Sequence, residues 1–145
     1  MITFEDLNNQ NQKISELSKV LSALIQERDV CDTQITCDLF FDYVDKVKEH
    51  LDIEERELYK ELLTHSDSNV KNTANKFLSS SSEIKRLLKQ YVKRWCKSKT
   101  LRIGDHASFI KESDEMFTIV LDRIVDETEH LYPILRNVYG LRMAA

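Results

Sequence analysis

Two glycines (Gly104, Gly140) and one proline (Pro133) are all the helix-breaking punctuation in the 145 residues. A protein of many short strands needs frequent turns, and turns draw on those residues. Their scarcity excludes that class and leaves a few long helices. No stretch approaches the ~20 apolar residues that span a bilayer, and the opening MITFEDLNNQ lacks the basic and apolar regions of a secretory signal. The expected location is therefore the cytoplasm, without membrane attachment. Three cysteines (Cys31, Cys37, Cys96) are an odd number at no zinc-like spacing, which argues for reduced thiols and against a disulfide framework. An excess of positive charge is also missing: the formal net charge is −4, so a generally basic nucleic-acid binder is not expected.

Hydrophobic residues make up 41% and charged residues 32%, the balance of a globular protein and not of an extended disordered chain. A chain of this length buries roughly two-thirds of its unfolded surface, enough for one domain over residues 1–145. Thr3 with Asp6 reads as the start of a first helix carrying Phe4, Leu7, Ile14, Leu17, Leu21 and Leu24, ending near Arg28. Residues 29–33 read as a polar break. Ile35, Leu39, Phe40, Tyr43, Val44, Val47, Leu51, Leu58 and Leu62 then trace a long second helix to about Thr64. Ser66 or Asp67 caps a third, with Val70, Ala74, Phe77, Ile84, Leu88, Tyr91 and Trp95 on its stripe. A connection over residues 97–105 precedes a fourth, carrying Phe109, Met116, Phe117, Val120, Ile124, Leu131 and Leu135, with Pro133 expected to kink or shorten it. Short connections between amphipathic helices predict an all-α fold, a single up-down-up-down antiparallel four-helix bundle.

Polar residues interrupt each apolar stripe, and burying them costs free energy unless partners satisfy them. On the second helix, His50 and Glu54 stack one turn apart between Val47 and Leu58; on the fourth, Arg123 and Glu127 do the same between Val120 and Leu131. Asn11 falls between Leu7 and Ile14, and Ser81 between Phe77 and Ile84. The predicted buried polar cluster is thus Asn11, His50, Glu54, Ser81, Arg123 and Glu127.

The segment HLDIEERELYKELL (residues 50–63) resembles the His-x-x-x-Glu segment of hemerythrin-like (HHE) domains, trailing Leu-Tyr included, and DRIVDETEHLYPIL (residues 122–135) resembles the second such segment. The spacer with VKNTANKF and the helix end KQYVKRW are similar to a bacterial branch of that group, so the resemblance covers the chain from about Leu39 to Leu135. It implies a four-helix bundle that, in iron-binding members, holds a pair of irons with histidines and bridging carboxylates. On that resemblance His50, Glu54 and Glu127 are the metal-ligand positions.

The departures carry as much weight. Where the family places a histidine before the fourth-helix carboxylate stands Arg123, which keeps its proton and does not ligate metals. The first-helix histidine position holds Asn11 or a neighbouring Asn or Gln, the third-helix position holds Ser81, and the remaining histidines, His65, His106 and His130, lie away from the inward faces. One inward histidine and two carboxylates are too few nitrogen ligands for a two-iron centre. The expectation is that no cofactor is bound and that the Arg123 guanidinium replaces the metal charge, neutralising Glu54 and Glu127. The competing readings let these long side chains reach solvent, or leave a mononuclear iron site of His50, Glu54, Glu127 and water.

Lys89, Lys93, Arg94 and Lys97 form a basic helix end that an anionic partner could use, although cations also favour a helix C-terminus through its dipole. No nucleophile with an adjacent base and no glycine-rich phosphate loop is present, so an enzyme is not expected. Two function classes follow. One is a non-enzymatic regulatory or interaction protein with a degenerate metal site, acting on a protein partner or on itself, with nucleic acid not expected. The other is an iron-dependent binder or sensor of oxygen, nitric oxide or iron.

Overall fold

Thr3 opens the first helix with a reciprocal cap: its hydroxyl accepts the Asp6 N–H at 3.1 Å while the Asp6 carboxylate accepts the Thr3 N–H at 3.1 Å. Two donors that every helix start leaves over are thereby satisfied. This helix, α1, spans Phe4–Leu24. The computed structural model describes residues 2–98 and 100–140, and within them the chain is all-α apart from one two-stranded hairpin.

The end of α1 differs from the expectation. α1 stops at Leu24, and the segment read as a polar break contains a short helix, α2, over Arg28–Cys31. Cys31, 1% exposed, plugs the end of the core, while Arg28 bonds Asp32 at 2.9 Å and the Ile103 carbonyl at 2.6 Å. The polar side chains thus satisfy a helical turn. α3 follows over Gln34–Glu57, capped by the Thr33 hydroxyl. Ile35, expected on the inward stripe, is 65% exposed, because the Thr36 hydroxyl is anchored to the Val30 carbonyl at 2.8 Å and holds Thr36 and Cys37 inward instead.

The expected unbroken helix to Thr64 is interrupted at Leu58 (φ −114°, ψ −41°) and resumes as α4 over Tyr59–Leu63. A regular helix sets neighbours 100° apart; the interruption allows Leu58 and Tyr59 both to be buried. The Leu58 carbonyl accepts the Tyr139 hydroxyl at 2.8 Å. Asp67 caps α5, Ser68–Trp95, through the Asn69 N–H at 2.8 Å. The connection after it, expected to be loop, holds an antiparallel hairpin of β1 (Cys96–Lys97) and β2 (Thr100–Leu101).

α6 spans His106–Asp126 under an Asp105 cap. One wide π-helical turn, Glu127–Leu131, joins it to α7, Tyr132–Tyr139. Pro133 does not end the helix near Leu135: it stands in the first turn of α7, which continues to Tyr139. Proline has no N–H to give and its ring presses on the carbonyl four residues back, and the wide turn just before it relieves both problems.

Hydrogen bonds at the helix ends give their directions. Ile2 N–H to Glu57 Oε2 at 3.0 Å ties the start of α1 to the end of α3. Ser22 to Asp114 at 3.1 Å and His106 Nε2 to the Ile25 carbonyl at 2.7 Å tie its end to the start of α6. Trp95 Nε1 to Glu112 Oε2 at 2.5 Å does the same for the end of α5. α1 therefore runs antiparallel to α3 and α6, as α5 does to α6.

The core is divided. One apolar lobe gathers Ile14, Leu21, Phe40, Val47, Leu51, Ile84, Leu88, Phe109 and Val120; the other gathers Leu7, Leu58, Leu62, Ala74, Phe77, Leu131 and Leu135. Between them each long helix contributes buried polar residues: Asn11 on α1, His50 and Glu54 on α3, Ser81 on α5, and Arg123 on α6 with Glu127 in the wide turn.

Candidate functional site

Arg123 is the hub of this polar layer. Its Nε donates to Glu127 Oε2 at 2.8 Å, one terminal nitrogen donates to Glu54 Oε1 at 3.2 Å, and that same nitrogen meets the Tyr59 hydroxyl and Ser81 Oγ, each at 2.9 Å. The other terminal nitrogen donates to the Phe77 carbonyl at 3.0 Å, and the Phe77 ring lies 4.9 Å from the guanidinium carbon. Every nitrogen of the fork is engaged, so a charge that is only 5% exposed keeps an acceptor at each of them.

His50 joins from α3. Its Nε2 donates to Glu127 Oε1 at 2.8 Å and lies 3.5 Å from Glu54 Oε2, while Nδ1 is 2.7 Å from Gln10 Oε1. Asn11 Nδ2 donates to Glu127 Oε1 at 3.2 Å and to the Tyr132 oxygen at 2.7 Å, and the Tyr132 hydroxyl donates to Glu127 Oε1 at 3.0 Å. Glu127 thus accepts from four side chains.

The two carboxyls respond oppositely. Burial alone would raise Glu127, but the hydrogen bond from His50 and the Arg123 charge outweigh it and hold the group at about 2. For Glu54 burial dominates, the neighbouring Glu127 charge adds to it, and Arg123 compensates only in part, so Glu54 lies well above the carboxylate range. A protonated Glu54 leaves the Arg123 guanidinium facing one carboxylate instead of two. It also accounts for Glu54 Oε2, a fully buried oxygen without a hydrogen-bond partner: a proton there has the Glu127 carboxylate beside it as acceptor.

Does this donor set fit a metal? His50, Glu54 and Glu127 present ligand atoms within 4.8 Å of one another, a group able to hold one ion. It does not fit a two-iron centre. It offers one imidazole, and the guanidinium already occupies one oxygen of each carboxylate. A single ion would have to compete with a fixed cation for both glutamates.

The structure brings Asn11, His50, Glu54, Ser81, Arg123 and Glu127 into one connected cluster. The other histidines lie outside it: His65 Nδ1 accepts the Asp67 N–H, His106 begins α6, and His130 is exposed. Lys89, Lys93 and Lys97 are exposed on the outer face, but Arg94 is bound to Glu112 and stacked 4.9 Å over the Trp95 ring. Lys99 lies outside the described residues.

Two cluster members were missed by sequence reasoning, Tyr59 and Tyr132, while Gln10 was covered only as a neighbouring Asn or Gln of Asn11. The tyrosines had a signal. Each stands five residues after a cluster glutamate, in the repeated pattern Glu-x-x-x-Leu-Tyr (Glu54 to Tyr59, Glu127 to Tyr132). In a regular helix such a residue points about 140° away. The break at Leu58 and the wide turn after Glu127 each bring the tyrosine back toward the layer.

The helices thus bring together a buried His-Glu-Glu group that could hold one ion. A family model for the hemerythrin HHE cation binding domain matches residues 3–135, and the chain belongs to that family. Among curated proteins and among solved structures, nothing matches it.

Proposed function

We propose that this chain is a hemerythrin-fold domain, a single up-down-up-down four-helix bundle over residues 1–145, in which a protein-borne cation replaces the metal and which acts as a non-enzymatic regulatory or interaction protein. The observation that carries the reading is the Arg123 guanidinium bonded to both Glu54 and Glu127. Its charge does at the bundle centre what an ion would otherwise do, and deprotonation does not release it. The layer then serves as a fixed polar seam that keeps the helices in register, leaving their outer faces to contact a protein partner or a second copy. Neither a nucleophile beside a base nor a phosphate-holding loop supports an enzyme among the described residues.

A second reading has its own observation. His50, Glu54 and Glu127 remain close enough to share one ion, which favours a reduced iron site that senses oxygen, nitric oxide or iron. Metal analysis with a visible spectrum separates the two. The first reading expects colourless protein that folds without iron, and expects Arg123→His to raise bound iron by supplying a nitrogen where the cation stood. Iron at about one ion per chain in the unaltered protein overturns it in favour of the second.

A further inference from the structure

The polar layer has a way out that the bundle does not need. Between α1 and α3 a cavity of about 170 Å³ opens to solvent, lined by Gln10, Lys13, Ile14, Lys46, Glu49 and His50. Its floor is the edge of the layer itself: His50, 4% exposed, reaches the cavity through the 2.7 Å contact of Nδ1 with Gln10 Oε1. The Gln10 amide meets the ring and also borders the cavity, and no other hydrogen bond of its side chain is found among the described residues. Lys13 makes no ion pair among them, and Lys46 is held only by Asp42, at 2.9 Å. Two cationic donors and the Gln10 amide therefore surround the space, and Glu49 is the single anion on its wall.

We propose that this pocket binds a small oxyanion, held by Lys13 and Lys46 at its mouth and by the Gln10 amide at its floor. Charge-assisted donors from two helices suit an anion of a few heavy atoms, with Ile14 supplying an apolar wall. Binding there draws on Gln10, and Gln10 touches His50, so an occupied pocket is felt at the His50–Glu127 bond inside the bundle. The inference goes beyond the metal-replacement reading and does not depend on it, since Arg123 contacts none of the lining residues.

The experiment is an NMR titration of the full chain, treated with chelator, at constant ionic strength, following the His50 ring and the Gln10 side-chain amide. Acetate and inorganic phosphate are the probes, so that a carboxylate and a tetrahedral anion are distinguished, and chloride is the control. Saturable shifts with acetate or phosphate at concentrations up to about 20 mM are expected. The double variant Lys13→Ala/Lys46→Ala should weaken that binding about tenfold or more, and Lys48→Ala/Lys60→Ala, which removes the same charge elsewhere, should not. No saturable shift, equal loss in both double variants, or shifts seen only before chelation would each overturn the proposal. A chain found to carry iron but still to bind phosphate after chelation would separate this inference from the failure of the metal-replacement reading.

Discussion

Phe109 and Arg123 sit on the same helix four turns apart, both in the interior, at 0% and 5% exposure, and they are held by opposite means. Around Phe109 the contacts are non-directional: Trp95 meets its ring edge-on at 5.3 Å and Tyr91 lies at 6.1 Å. Such a region loses stability in proportion to the volume removed and tolerates a shape-preserving exchange. Around Arg123 the contacts are directional, each guanidinium nitrogen having a named acceptor, and loss of the cation leaves those acceptors buried without it. The apolar lobe is graded, while the polar layer is nearly all-or-none.

Truncation tests that contrast most strongly. Phe109→Ala should cost about 4 kcal/mol in denaturant unfolding, and that loss should be the same whether or not the layer carries its charges. Arg123→Leu should cost about 3 kcal/mol or more, because it strands two carboxyls. Here the loss should shrink when Glu54→Gln and Glu127→Gln are added, since removing all the charges together leaves nothing to compensate. An Arg123→Leu loss within about 0.5 kcal/mol would show the layer to be ordinary solvent-relieved polarity.

Acidity separates the regions further, as the lobe has nothing to titrate near neutrality. Glu127 is held at about 2, below its ordinary 4.5, so its contribution is complete above 4.5 and drains away as pH falls toward 2. Glu54 is raised, so above 4.5 the unfolded chain releases a proton that the folded chain keeps, and stability declines as pH climbs. Unfolding midpoints across roughly pH 3 to 8 should therefore show two limbs. Glu127→Gln should flatten the acid limb and Glu54→Gln the alkaline one. A profile unchanged by either variant would break the assignment. The smallest effect is expected from Tyr132→Phe, about 1 kcal/mol, because Glu127 retains donors from Asn11, His50 and Arg123.

The layer's main positions were legible in the sequence because the helical period continues on both sides of each: Leu7 and Ile14 frame Asn11, and Phe77 and Ile84 frame Ser81. A polar residue inside an unbroken stripe announces burial. What closes the layer was not legible. Gln10 is one residue off the stripe and reaches His50 only because α3 passes beside it. Tyr59 and Tyr132 depend on one-residue irregularities, and a local widening leaves the hydrophobic pattern nearly unchanged on either side. The segment over Arg28–Cys31 misled for a related reason: its polarity reads as coil, while its hydrogen bonds to Asp32 and Ile103 come from distant and local partners that no periodicity encodes.

The wide turn at Glu127–Leu131 also makes the chain's final helix unequal along its length toward gain or loss of a residue. Thr128, Glu129 and His130 all face solvent there, so excising one of them tightens the turn to ordinary pitch while Tyr132, Leu135 and Tyr139 keep their orientation. The same excision a turn earlier rotates everything beyond it by about 100° and swings those side chains outward. Pro133 guards this spare residue, since a tightened turn brings its ring against the carbonyl it now avoids; length variation at this point is tolerated only when the proline is exchanged with it.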